Sequence, residues 1–179
     1  ANRRVAEFIG KKRGSNPVKN FVYRIHDVPD TLKVKELDRF IKTFGHRLQM
    51  GSPRALSKSF NKLLQDVKGK PEQNMIELLA IRTMQKAIYG TENLVGHYGL
   101  GFTYYTHFTS PIRRYPDVLV HRLLQRYLDK KPSANLETLD DMCKHTSEME
   151  RKATLAERDS TRYFQVRYME QRVGEVFEA

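Results

Sequence analysis

From about residue 136 to residue 178 the chain contains no proline and a single glycine, Gly174. Nothing there breaks a helix, so this stretch constrains the fold more than any other. Within it, positions 139, 142, 146, 149, 153, 156, 160 and 163 are Leu, Met, Thr, Met, Ala, Ala, Ser and Tyr. The alternating three–four spacing is a heptad seam. Small residues at its centre let a partner backbone approach closely.

The rest of the chain also reads as mostly helical. Val5, Phe8 and Ile9 share a face of a basic helix over 2–12, and "GSNP" at 14–17 signals a turn. "FVYRIH", 21–26, alternates apolar and polar and is rich in β-formers, which predicts a strand. Asp30 caps a helix over 31–44 with Leu32, Leu37, Phe40, Ile41 and Phe44 as its buried stripe and Gly45 as its stop. Ser52-Pro53 opens a helix carrying Leu56, Phe60, Leu63, Leu64 and Val67. A further helix is expected over 72–89, with Ile76, Leu79, Ala80, Met84, Ala87 and Ile88 inside. Residues 90–108 are rich in glycine and aromatics and read as a loop feeding a short extended segment. The fold class is thus mainly α with one or two short β segments. Two strands make no stable sheet alone, so further strands are expected outside these residues. Ala1 in first place marks either processing or a fragment of a longer protein, and the orphan strands favour the fragment.

Composition narrows the partners. The net charge is +11, and residues 1–70 hold 17 Lys+Arg against 6 Asp+Glu, while the remainder holds 15 of each. Such asymmetry fits either a polyanion partner, nucleic acid by default, or a solvated basic face. No apolar run approaches the roughly 18 residues of a membrane span, and no signal peptide opens the chain. Cys143 is the only cysteine, which excludes an internal disulfide and a cysteine-built zinc site. It reads as a small apolar residue on a helix in a reducing, cytoplasmic setting. His26, His46, His97 and His145 lack ligand spacing, and no triad, P-loop or tight carboxylate cluster is present.

The densest chemistry lies in "THFTSPIRRYPD", residues 106–117. Ser110 as N-cap and Pro111 at the first helical position predict a helix start, where unpaired N–H groups attract anions. Pro116 lacks an N–H, so this first turn is set apart from a helix over 117–128. Arg113, Asp117 and His121 are spaced by four, so Asp117 is expected to hold Arg113, and His121 to hold Asp117. Arginine beside free helix N–H groups makes a phosphate site, unless Arg113 and Arg114 pair with acids elsewhere. Phe102, Tyr104, Tyr105, His107 and Phe108 surround the approach. Such aromatics suit unstacked bases, although Phe102 and Phe108 read more naturally as core. Glu157, within "TLAERDS", reads locally as a solvated helix residue beside Ala153 and Ala156.

"GHYGLGFTYYTHFTSPIRRYPDVLVHRLL", 96–124, closely resembles the signature of the RNB family, the ribonuclease II and ribonuclease R exoribonucleases. "ANRRVAEF", "VYRIHDVPD" and the late "AERD" are similar to family features in family order, nearer the ribonuclease R branch. The resemblance implies a processive exoribonuclease that works from the 3′ end of single-stranded RNA, releases nucleoside 5′-monophosphates and uses magnesium held by clustered aspartates. It implies that Arg113 contacts the scissile phosphate and that Glu157 belongs to the same site. Ser110, Arg114, Tyr105 and His107 would then touch RNA. The aspartate cluster is not in this sequence. Residues 1–179 therefore resemble the C-terminal part of a single α/β RNB catalytic domain, ending where an S1 domain would begin. The metal ligands, cold-shock-like domains and S1 domain are expected outside the chain, and the fragment alone is expected to be inactive. The alternative is a basic helical module that binds single-stranded RNA without cutting it.

Overall fold

The computed structural model describes residues 1–12 and 17–177. The turn expected over 14–17 lies, Pro17 apart, outside the described residues. Helix α1 (Asn2–Gly10) buries Ala6 and Ile9. Strand β1 is Tyr23–Ile25. Asp30 then caps α2 (Thr31–Ile41), accepting the N–H groups of Leu32 and Lys33. A 3₁₀ turn, Lys42–Phe44, follows, and Gly45 ends it at φ 79°, a left-handed conformation that glycine adopts without strain. Ser52 caps α3 (Pro53–Asp66) by accepting from the Ala55 N–H. Helices α2 and α3 thus begin on the residues whose chemistry predicts it, while α2 gives way to the 3₁₀ turn at Lys42 before Gly45 stops the chain.

The expected helix over 72–89 is instead α4 (Gln73–Thr83), a four-residue link and strand β2 (Ile88–Gly90). β2 pairs antiparallel with β1, Arg24 opposite Tyr89. Apolar spacing ran on into the strand because Ala87 and Ile88 happen to continue the helical period. The stripe expected on α2 also shifts. Val34, Leu37 and Ile41 are buried, whereas Leu32 and Phe44 face solvent. The other edge of β1 is taken up within this chain. The Arg24 N–H donates to the Tyr105 carbonyl at 2.9 Å, and the buried Thr106 hydroxyl donates to the Val22 carbonyl at 2.8 Å. The two-stranded ribbon thus finds its support in an irregular segment and in helices rather than in further strands.

Helix α5 spans Tyr115–Leu128 and α6 spans Leu136–Glu170. Two hydrophobic clusters result. One joins α1, β1, Tyr89, α5 and the start of α6 around Phe21, Val120, Leu139 and Cys143. The other is internal to α2, α3 and α4, around Val34, Ile41, Phe60 and Ile76. Cys143 is buried as expected, and burial pushes its thiol up to about 12.

Helix α6 is the long helix that its composition requires, but only its first half is covered. Leu139, Cys143 and Thr146 are buried, and every residue from 151 to 170 is exposed. The heptad seam therefore packs at its start and is bare over Ala153, Ala156, Ser160 and Tyr163.

Candidate functional site

The proline box is built around a buried carboxylate. Asp117, in the first turn of α5, has no solvent exposure. Its Oδ1 accepts the Ser110 N–H at 2.8 Å and the Arg114 Nη2 at 2.9 Å. The Nε of Arg114 lies 2.8 Å from Oδ2. The Ser110 carbonyl in turn accepts the N–H groups of Arg113 and Arg114. Residues 110–114 thus close into one turn, with both ends tied to the same side chain. A carboxylate at a helix N-terminus is also favoured by the helix dipole.

This corrects three expectations. Ser110 is not a helix cap, because α5 starts at Tyr115 after the turn, with Pro116 inside its first turn, where no N–H is needed. Asp117 holds Arg114 rather than Arg113. The turn makes residue 113 the outer corner, so the four-residue spacing of a continuous helix does not apply. His121 does not reach Asp117 either. Its Nε2 lies 2.8 Å from the Phe108 carbonyl, and its ring stacks on Phe108 at 4.0 Å.

The consequence is a division of labour between the two arginines. Arg114 is internal and neutralised. Arg113 is exposed and, among the described residues, forms no ion pair. Pro111 and Ile112 flank it at the tip, and Ile112 is fully exposed. A rigid turn thus presents one unpaired guanidinium, which suits an anion with forked oxygens.

Behind the turn lies an aromatic network. The Tyr89 hydroxyl is 2.8 Å from Nδ1 of His107. The rings of Tyr89 and Tyr105 meet His107 edge to face at 5.7 and 5.8 Å. Burial, with Arg114 and Arg24 nearby, depresses His107 to about 4, so it is neutral at pH 7. Burial raises Tyr89 to about 12. Tyr105 is held from α1, where Asn2 Nδ2 donates to its hydroxyl at 3.1 Å, and Asn2 Oδ1 accepts the Phe108 N–H at 3.2 Å. Tyr105 and His107 are half-buried members of this packed cluster rather than free stacking faces. Phe108 packs against the core as its apolar character suggests.

No local pattern marks Arg24 or Glu150. Arg24 Nη1 and Nη2 donate to the two Glu150 oxygens at 2.6 and 3.1 Å, and its guanidinium lies 4.5 Å from the Tyr89 ring centroid. That pair fastens β1 and the aromatic network to α6. The residues are 126 apart in sequence, a separation no local pattern can bridge.

Glu157 lies on the exposed half of α6, and no ion pair joins it to Arg113 among the described residues. Tyr115, at the end of the box, shares a cavity of about 710 Å³ with α6 residues as far along as Met149. Glu157 stands about 12 Å of helix beyond that point. Among the described residues no group of three His, Cys, Asp or Glu side chains could hold a metal ion. No helix among them is long and apolar enough to cross a membrane.

The motif and its geometry agree with the comparisons. Ribonuclease R of Aquifex aeolicus is 40% identical over 160 residues, 87% of this chain and 22% of that protein. The structure of Mycoplasma genitalium RNase R in complex with ribose-methylated single-stranded RNA superposes with a TM-score of 0.83 and 27% identity, covering 97% of this chain and 27% of that one. Yeast Ssd1, described as a pseudonuclease, gives a TM-score of 0.65 and 26% identity over 81% of this chain and 18% of its own. The chain thus spans about a fifth to a quarter of the length of such relatives. The RNB domain family matches residues 1–130, and the chain belongs to it.

Proposed function

We propose that this chain is the C-terminal part of a single RNB catalytic domain, in a parent protein that degrades single-stranded RNA from its 3′ end to nucleoside 5′-monophosphates in the cytoplasm. The observation that carries the reading is the exposed, unpaired Arg113 on a turn locked by Asp117. A guanidinium fixed in advance stabilises charge that develops on a phosphate in the transition state without having to reorganise. Arg113 is assigned to the scissile phosphate. Ser110 and Arg114 shape the turn that aims it, and Tyr105 and His107 line the approach of the RNA. Glu157 is assigned to the same centre. The described residues do not fit a magnesium site. Its ligands are assigned to a preceding part of the domain.

The test uses the intact parent protein on 5′-labelled single-stranded RNA with magnesium. Arg113→Ala is expected to slow cleavage about 10²–10³-fold while leaving RNA affinity within a few-fold. Loss of binding with normal turnover of bound RNA would remove Arg113 from the chemical step. Glu157→Ala is expected to slow single-turnover cleavage as well, and a normal rate would take Glu157 out of the site.

A second reading has one observation in its favour, the structural likeness to a protein described as a pseudonuclease. A parent that binds RNA tightly and salt-dependently but never shortens it would be a binding module on the same scaffold.

A further inference from the structure

We propose that the cleft between α3 and the segment joining it to α2 is a second contact for the RNA backbone, apart from the proline box. This rests on the reading of the parent as an RNA-binding RNB protein. The basic surplus is concentrated here. Residues 42–70 contain seven Lys+Arg and a single acidic residue, Asp66.

The fold turns that composition into a shape. The 3₁₀ turn and Gly45 reverse the chain, so residues 46–49 run back beside α3. Two backbone bonds hold them there. The buried Leu48 donates its N–H to Asp38 at 2.9 Å, and Gln49 donates to the buried Ser59 hydroxyl at 2.8 Å. Arg47 is thereby fixed on one wall, with Lys58 and Lys62, one turn apart on α3, on the other. An open cavity of about 630 Å³ lies between, with the carboxylates Asp38 and Asp66 also at its lining. Lys42 is already paired with Asp38 at 2.6 Å. Among the described residues Arg47, Lys58 and Lys62 form no ion pair.

Spacing selects the ligand. Arg54, Lys58 and Lys62 recur every four residues, a rise of about 6 Å each. Like charges at that spacing oppose helix formation, so the row is destabilising until an anion occupies it. A lone phosphate needs one converging set of donors. A row that repeats along a helix fits a chain of repeating negative charge, and such contacts hold a strand without reading its sequence.

The experiment measures binding of the intact protein to 5′-labelled single-stranded RNA across a salt series. The triple variant Arg47→Gln/Lys58→Gln/Lys62→Gln is compared with wild type. Three lost contacts are expected to flatten the slope of log K against log salt by about 2, and to weaken binding at least about tenfold at low salt. A control triple, Arg122→Gln/Lys130→Gln/Arg151→Gln, removes the same charge elsewhere and is expected to change the slope by less than half as much. Thermal melts of both variants check that the fold is retained. Equal effects of the two triples would reduce the cleft to bulk charge and overturn the proposal. So would an unchanged slope in the cleft variant while Arg113→Ala still slows cleavage, and in that case the reading of the proline box survives. A wild-type protein that binds no RNA would overturn both. Inorganic phosphate serves as the small-anion probe. Binding of low-millimolar phosphate to wild type but not to the cleft triple, with RNA affinity unchanged by phosphate, would show a site for a free anion and overturn the backbone assignment.

Discussion

Asp117 is the residue on which the proline box depends, and the sequence shows why it is there without showing what it holds. A carboxylate in the first helical turn is predictable, but its partner depends on how residues 110–114 turn, and the two prolines allow more than one path. Buried and bonded to Ser110 and Arg114, Asp117 cannot be removed without stranding a half-buried guanidinium. Asp117→Ala is expected to cost about 3–5 kcal/mol in urea unfolding. A loss below about 1 kcal/mol would mean that the turn is held by something else. His107 makes a second residue-scale prediction, in pH. Its folded pKa is depressed to about 4 from an ordinary value near 6.5, so the unfolded chain binds a proton first as pH falls. The stability due to neutral His107 is complete above about pH 6.5 and is lost as pH drops toward 4. His97 is also depressed to about 4 by burial, His26 and Arg24, and acts in the same direction. Urea midpoints at pH 7 and pH 4.5 are expected to differ in wild type and to differ less in His107→Phe. An equal drop in the variant would exclude His107 as a cause.

Among the elements, those set by local chemistry were the legible ones. Asp30, Gly45 and Ser52-Pro53 act within a turn of where they stand, so the starts of α2 and α3 and the stop after the 3₁₀ turn follow from them directly. Strand β2 was missed because three residues carry too little periodicity to outvote the helix before them. The segment 96–102 was legible only as loop, yet it is closely fitted. Gly96 has φ +70°, and a Cβ there would stand 2.5 Å from the Phe102 carbonyl oxygen and 3.0 Å from Thr103 backbone atoms. Both the dihedral and the contact require glycine, and the contact is with backbone that cannot swing aside. The Gly96 carbonyl also accepts the His26 N–H at 3.1 Å, so displacing it disturbs the extension of β1. Gly96→Ala is expected to cost about 2 kcal/mol or more in chemical denaturation, well beyond the 0.4–1 kcal/mol that a compatible Gly→Ala substitution gains. A neutral result would show that this loop has room the structure does not display.

At the scale of the whole molecule, sequence and structure each supply what the other lacks. The lopsided charge and the "HFTSPIRRYPD" motif point to a phosphate polymer before any coordinates exist. Only the fold shows that Arg114 is internal while Arg113 faces outward, and that Lys42, Arg47, Lys58 and Lys62 line a cleft beside α3. Glu157 lies where local reasoning puts it, on an exposed helix surface. The exposed second half of α6 carries Leu155, Tyr163, Phe164 and Val166, each at least half exposed. An exposed apolar surface is thus left on the same helix that bears the proposed second catalytic residue. Phosphodiester hydrolysis needs an activated nucleophile and charge stabilisation on both sides of the phosphorus. On the proposed assignment Arg113 supplies one side, and the groups that would activate water lie elsewhere. The isolated 179 residues are therefore expected to fold, as judged by a helical circular dichroism spectrum and a cooperative melt, yet to release no mononucleotide from labelled RNA with magnesium. Magnesium-dependent release by the purified chain would place an activating group within these residues and overturn the division of the site proposed here.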